Sequence, residues 1–291
     1  MNPNRKTPAD KFLPVVLAVV THLPNMDGYH KDRFEVVQTC LRSMTQNAKT
    51  DFTLMVWDND SCDVFREWIE DEIRPDVFVK SFNLGKTGGR TSLMRMIPPD
   101  RVVAYADDDM FFYPNWLQPQ IDLLNHFPGV SCVTGYPVRT SFRWANELTK
   151  RWAKQNAELS QGRFIPNQWE DDFADSVGRD RETHRQGTKS DFDWKIKYNG
   201  VEAYATSHHC QFISKSEIVS RVLTYDDAAM GDEKPFDVVM DKLGLRLATC
   251  ERLTRHIGNV IHDELRSEIN LNLESAERSA MAEEVSDGRR N

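Results

Sequence analysis

Arg101-Val102-Val103-Ala104-Tyr105-Ala106-Asp107-Asp108-Asp109 carries an apolar run straight into three consecutive aspartates. The run reads as a short buried strand, and the acids mark where it leaves the core. Three ionised carboxylates at one strand end repel one another unless a cation or a basic group offsets them. Hard divalent cations prefer oxygen ligands, so a metal is one way to hold such a cluster. A solvated acidic turn is the plainer alternative. Against it stands the apolar continuation Met110-Phe111-Phe112-Tyr113-Pro114-Asn115-Trp116-Leu117, which is unlike an exposed acidic loop.

The flanking sequence repeats the pattern. Residues 14–22 form a β-branched run that is apolar on alternate and intervening positions alike, as in a parallel strand buried on both faces. Phe34, Val37, Leu41, Met44 and Ala48 follow at helical spacing. Residues 52–57 read as a second strand ending in Asp58-Asn59-Asp60-Ser61, and Val64, Phe65, Trp68 and Ile69 as another helix. Residues 76–82 read as a third strand, leading into a glycine-rich stretch from Asn83 to Arg90. A helix is expected over 116–127 and a fifth strand over 130–138. Strands alternating with helices predict an α/β fold, a mostly parallel sheet flanked by helices. Ligands of such sheets sit at the carboxyl ends of the strands. The polar clusters Thr21-His22, Asp58 to Asp60, Asn83 to Arg90 and Asp107 to Asp109 all fall at those ends.

After Val138 the regularity weakens. Residues 139–200 are rich in charge and tryptophan and read as a mobile loop or helical insertion over the site. Between 139 and 163, six cations (Arg139, Arg143, Lys150, Arg151, Lys154, Arg163) face Glu147 and Glu158, a local net of +4. Regular structure is expected again over 203–214 and 217–223, then a helix over 235–243 closed by Gly244, a strand over 245–250, and a polar helix from Asp263 to about Glu284. The chain thus divides into 13–138, 139–262 with its insertion at 139–200, and a C-terminal helix and tail, 263–291.

The 291 residues include 37 Lys plus Arg and 45 Asp plus Glu, a net charge of −8 that disfavours general binding to nucleic acid or anionic membrane. Hydrophobic residues at 40% supply a core without disulfide or metal staples. Cys40, Cys62, Cys132, Cys210 and Cys250 are odd in number and widely spaced, which reads as free thiols in a reducing compartment. The longest early apolar run, Leu13 to Val20, is far short of the roughly 20 residues a membrane span needs. No transmembrane segment and a cytoplasmic location are expected. Gly85-Lys86-Thr87 is not a phosphate loop, because the pattern needs glycine where Lys80 stands. Its glycines instead suggest a tight turn and close backbone approach to a ligand. His208-His209-Cys210 could suggest zinc, but no second ligand pair supports it, and the segment reads better as lining an acceptor pocket. Trp144, Trp152, Trp169 and Trp194 could stack on sugar or base rings or pack in the core.

Taken together, Thr21, Asp58-Asn59-Asp60-Ser61, Asn83-Leu84-Gly85-Lys86-Thr87-Gly88-Gly89-Arg90 and Asp107-Asp108-Asp109 with Pro114-Asn115-Trp116-Leu117 resemble, in order, the motifs of family-2-like glycosyltransferases of the GT-A fold. The likeness is good over 13–138 and loose over 203–260. It implies that Thr21 and Asn59, or Asp58, hold the nucleotide base and ribose and that Arg90 lies near the nucleotide or diphosphate. It implies that Asp109 ligates a divalent metal, Mn²⁺ or Mg²⁺. Asp107 and Asp108 would support that metal and bind ribose or sugar hydroxyls. His256, in Thr254-Arg255-His256-Ile257-Gly258-Asn259, would complete the metal shell. A carboxylate among Asp232, Glu233 and Asp237, with the first two favoured, would take the proton from the acceptor hydroxyl.

The resulting expectation is a metal-dependent transferase moving a sugar, with inversion, from a nucleoside-diphosphate sugar (a UDP-sugar) to an acceptor glycan, lipid or modified nucleic-acid base. The +4 stretch keeps hydroxymethylated bases of DNA open as acceptor. A nucleotidyltransferase, which releases pyrophosphate, and a non-catalytic sugar- or nucleotide-binding module are the competing classes.

Overall fold

A computed structural model describes residues 11–188, 192–223 and 233–287. Twelve strands occur among them: β1 (Val15–Thr21), β2 (Thr53–Asn59), β3 (Val77–Ser81), β4 (Val102–Asp107), β5 (Met110–Phe112), β6 (Val130–Thr134), β7 (Glu158–Gly162), β8 (Asp193–Tyr198), β9 (Val201–Tyr204), β10 (Gln211–Lys215), β11 (Leu245–Ala248) and β12 (Thr254–His256). Ten build one sheet in the order β3-β2-β1-β4-β10-β6-β11-β9-β8-β7. The first four run parallel, as do β6 and β11, while β10 is antiparallel to both β4 and β6. The fold is therefore α/β with a large central sheet flanked by helices.

The two-sided apolar run of β1 explains its place in the middle of that sheet. Leu17 and Val19 point into a core shared with Val37, Leu41 and Met44 of α1 (Arg33–Gln46) and with Phe65 of α2 (Asp63–Trp68). Val16, Ala18 and Val20 point the other way, onto Leu93 and Met94 of α3 (Gly85–Met96). Side chains alternate across a strand, so a strand covered by helices on both faces needs apolar residues at every position.

Three features differ from the reading of the sequence. The glycine-rich stretch is not only a turn, because α3 begins at Gly85, whose φ is +70°. Gly89 lies within that helix where it crosses the sheet, and a Cβ there would sit 3.1 Å from Val20 Cγ1 and 3.3 Å from Trp57 Cδ1. Its missing side chain lets helix and sheet approach closely. Beyond α4 (Gln118–His126), residues 139–200 are not a simple lid. They contribute α5 (Glu147–Asn156), α6 (Asn167–Ser176), α7 (Arg181–Gly187) and two strands of the main sheet, β7 and β8. Short helices and edge strands carry weak periodicity, and buried ion pairs such as Arg139–Asp193 at 3.0 Å replace the apolar stripe as the signal. Third, β5 pairs with β12, which brings residues 254–256 onto the chain that leaves the aspartates. After α8 (Ser216–Val219) and α9 (Lys234–Leu243), the chain ends its described part in α10 (Asp263–Asp287). All five cysteines are free, and no described helix is long and apolar enough to cross a membrane.

Candidate active site

A cleft of about 920 Å³ opens at the carboxyl ends of β1, β2 and β4. His22, Asn59, Lys86 and Asp107 to Asp109 line one side, and Asp175 to Gly178 with His256 to Val260 the other. Its second wall thus comes from the end of α6, inside the stretch 139–200, and from the turn after β12.

Each of the three aspartates has a different partner. Asp107 accepts from Tyr105 Oη at 2.9 Å and from Lys86 Nζ at 2.8 Å. Asp108 pairs with Arg33, the first residue of α1, and accepts the His22 N–H at 3.3 Å. Burial, only partly offset by Arg33, pushes the Asp108 carboxyl up. Asp109 faces His256 Nε2 at 3.4 Å and Arg33 Nη1 at 3.5 Å. Burial alone would raise its carboxyl, but His256, with Arg33 and Lys86, brings it well below the usual carboxylate range. The mutual repulsion is offset by two fixed cations and an imidazole. Burial likewise opposes the charge of Lys86, yet Asp107 and Glu233 hold its ammonium well above the ordinary lysine range.

The Asp109–His256 pair passes a chemical test for a cation. Ser176 Oγ lies 2.8 Å from His256 Nδ1 and also donates to Phe173 O at 2.7 Å. A serine hydroxyl has one proton, so with that proton on Phe173 it accepts the Nδ1–H of His256. Nε2 then lies 3.4 Å from the Asp109 carboxylate, and that contact needs either a proton on Nε2, as in the pairing that lowers the Asp109 carboxyl, or a cation in its place. Asp109 Oδ1 is also buried without a hydrogen-bond partner. Imidazole with carboxylate suits Mn²⁺, and Asp109 and His256 are the residues that would hold it. Asp107, the other expected metal residue, is held at both oxygens by Tyr105 and Lys86.

The remaining candidates divide between the cleft and its wall. Asn59 lines the cleft. It accepts Leu84 N–H at 2.8 Å and donates to Asn83 Oδ1 at 3.0 Å, tying the end of β2 to the start of α3. Its carbonyl holds His22 Nδ1 at 2.6 Å. Thr21 and Asp58 are fully buried behind this surface. Thr21 donates to Trp57 O at 3.4 Å, whereas Asp58 binds Arg66 Nε at 2.6 Å and accepts Ser61 N–H at 3.0 Å. Arg90 is buried against Phe236, 4.2 Å from the ring centroid, and pairs with Glu233 at 2.7 Å. Glu233 also lies 3.5 Å from Lys86. Asp237 does not line the cleft; it is buried between Arg246 and His209 Nδ1, the latter at 2.9 Å. Asp232 lies outside the described residues.

His22 and Lys86 belong to the polar clusters that the sequence places at the strand ends, without a role of their own, whereas Arg33 and Ser176 are cleft residues the sequence does not point to. Arg33 and Ser176 have no local signal, since each reaches its aspartate or histidine only through the packing of distant elements. Among the described residues, the one trio of His, Cys, Asp or Glu whose ligand atoms lie within 4.8 Å of one another is His208, His209 and Cys210. Burial lowers the His208 imidazole well below its ordinary range and raises the Cys210 thiol well above its own.

Comparison with known proteins agrees with this architecture. The family model described as glycosyl transferase family 2 matches residues 29–186. Among solved structures, GalNAc-T7 with UDP, GalNAc and Mn²⁺ superposes with a TM-score of 0.50 at 12% identity, covering 84% of this chain. The chain spans 43% of that protein's length. HddC from Yersinia pseudotuberculosis (TM-score 0.43, 8% identity, 89% of this chain and 98% of that one) and S. aureus TarS (0.33, 15%, 44% and 21%) also align. No curated protein sequence matches. With the family model covering more than half of its length, the chain belongs to glycosyl transferase family 2.

Proposed function

We propose that this protein transfers a sugar from a nucleoside-diphosphate sugar, a UDP-sugar, to an acceptor hydroxyl with inversion, and that transfer requires Mn²⁺ or Mg²⁺. The observation that carries the metal requirement is the buried, unpartnered Oδ1 of Asp109, on the carboxylate whose other oxygen lies 3.4 Å from His256 Nε2. A divalent cation held there supplies Lewis-acid neutralisation of the leaving diphosphate. UDP and Mn²⁺ accompany the GalNAc-T7 structure, whose fold is similar. Lys86 and Arg33 add positive charge on the same side of the cleft, where they can meet phosphate oxygens in exchange for their aspartates. His22, Asn59 and Asp108 edge the cleft and offer donors and acceptors to ribose or sugar hydroxyls. Residues 13–138 supply most donor contacts in this reading, and 139–262 select the acceptor while lending Ser176 and His256 to the donor side.

The test is a panel of nucleotide sugars with Mn²⁺, Mg²⁺ or chelator, reading thermal stabilisation and release of nucleoside diphosphate. Stabilisation by a UDP-sugar only with metal, lost in Asp109→Asn, is the expected result. Release of pyrophosphate would assign a nucleotidyltransferase instead. If no nucleoside diphosphate binds with any metal, the reading is wrong. Parallel acceptor arms with glycan, lipid and hydroxymethylated DNA identify the acceptor class.

A further inference from the structure

We propose that Arg33 couples the two ligands of the cleft: its guanidinium competes with a divalent metal for the aspartates, and the diphosphate that receives the displaced guanidinium makes metal and nucleotide bind in concert. The inference rests on the nucleoside-diphosphate reading above. It assigns the control of metal and nucleotide affinity to a residue outside the expected donor motifs.

Arg33 is the first residue of α1 and lines the cleft while only 9% exposed. Its one planar group meets three segments of the chain. Nη2 pairs with Asp108, just after β4. Nη1 lies 3.5 Å from Asp109 Oδ2 and donates to Asn259 Oδ1 at 2.9 Å, in the turn between β12 and α10. Asn259 Nδ2 donates in turn to Tyr29 Oη at 2.6 Å, in the segment that precedes α1. All of these residues line the cleft, so the chain of contacts joins its two walls.

Asp109 Oδ2 is the contested atom, with His256 Nε2 at 3.4 Å and Arg33 Nη1 at 3.5 Å. A divalent cation held by Asp109 and His256 sets two further positive charges beside the guanidinium. Like charges at such range repel, and more strongly where burial lowers the local dielectric.

Burial also opposes the charge of Arg33 itself, and Asp108 with Asp109 outweighs it. A cation so placed needs an anionic partner at every stage, because a buried charge left unpaired is costly. Both carboxylates paired with Arg33 belong to the aspartate run, and its third contact, Asn259, is neutral. Lys86 differs, since Glu233 at 3.5 Å remains beside it when Asp107 is given up.

A diphosphate resolves the conflict. Its oxygens match the guanidinium fork two by two, as a carboxylate does. The metal takes the aspartate from Arg33, the diphosphate takes Arg33, and each ligand lowers the cost of binding the other. Such coupling is reciprocal by linkage.

The experiment is titration calorimetry of Mn²⁺ with and without saturating UDP, and of UDP with and without Mn²⁺, on the parent and on Arg33→Met, Arg33→Gln and Arg33→Lys. In the parent each ligand should tighten the other by about 5–150-fold, equally in both directions. In Arg33→Met, Mn²⁺ alone should bind more tightly than to the parent and UDP alone more weakly. The mutual enhancement should fall by about 5-fold or more, direct metal–phosphate contact supplying what is left. Arg33→Gln keeps an amide donor for Asp108 and makes the same test if the Met variant does not fold. Arg33→Lys keeps the charge without the fork, so Mn²⁺ alone should bind near parental affinity and only part of the enhancement should return. The proposal is overturned if the parent shows no enhancement, a measurement that requires no variant. It is also overturned if removal of the charge leaves Mn²⁺ binding alone no tighter, or leaves the enhancement at its parental size. If no nucleoside diphosphate binds the parent with any metal, the functional reading itself fails, which separates the two failures.

Discussion

The hydroxyl of Ser176 joins the end of α6 to His256, 2.8 Å from Nδ1, while spending its own proton on Phe173 O. A residue within the irregular stretch thereby sets the tautomer of a candidate metal ligand 80 positions away. Groups that orient a ligating histidine in this way typically govern metal affinity by about 10–100-fold. Ser176→Ala should therefore weaken Mn²⁺ binding by about that factor, measured by titration calorimetry, and Ser176→Thr should restore it. An unchanged affinity in Ser176→Ala would show that the hydroxyl does not orient the ligand.

The same junction leaves no room at Gly258. Its φ is +74°, and a Cβ there would lie 2.0 Å from Ser176 O, a backbone atom that cannot swing aside. Gly258→Ala should cost about 1–3 kcal/mol in chemical denaturation and weaken Mn²⁺ binding as α6 is pushed off β12. Gly187→Ala is the control, since nothing lies within 4 Å of its added Cβ and its φ is not positive. It should stay within about 0.5 kcal/mol of the parent.

Arg246 is fully buried and serves Asp237, Ser207 and the Ala145 carbonyl together. Removing one partner of a buried ion pair strands the other charge. Arg246→Leu should destabilise the fold by about 3–5 kcal/mol in urea. The double variant Arg246→Leu with Asp237→Leu should recover part of that loss, and no recovery would mean that packing rather than charge dominates.

Stability should fall with acid in two stages. Burial, with help from His209, keeps the His208 imidazole neutral well below its ordinary titration range. The unfolded chain therefore binds a proton near pH 6.5 that the folded chain does not, and stability drops as pH falls below about 6.5. Asp237 is depressed well below its ordinary value because Arg246 and His209 outweigh burial. Its contribution is full above about pH 3.9 and is lost as pH falls further. Urea midpoints from pH 8 to 3 check this, and His208→Asn should flatten the upper stage by up to about 1.4 kcal/mol per pH unit. A midpoint that rises between pH 7 and 5 would contradict the assignment.

Much of the donor half was legible because periodicity is local. The run at 15–21 alternates its side chains between two cores, and Asp107 to Asp109 mark where that sheet meets solvent. Glycine was the ambiguous signal. Gly85 to Gly89 permit a turn as readily as they permit a helix to press on Trp57, and only the packing of α3 decides between the two. Aspartates, too, look alike in sequence. Asp58 and Asp237 share composition and strand- or helix-end placement with Asp109, yet the first two meet arginines in the interior.

The order of apolar runs, turn residues and acids along the chain by itself determined the α/β fold, the sheet end that carries the site, and the glycosyltransferase family. Which carboxylates are spent on structure, and that Arg33, Ser176 and His256 converge on the aspartates, depended on contacts between residues 75 to 147 positions apart. Spacing along a chain encodes the period of a helix or strand, but a polar group's charge and freedom depend on what packs against it, and those neighbours are chosen by tertiary structure.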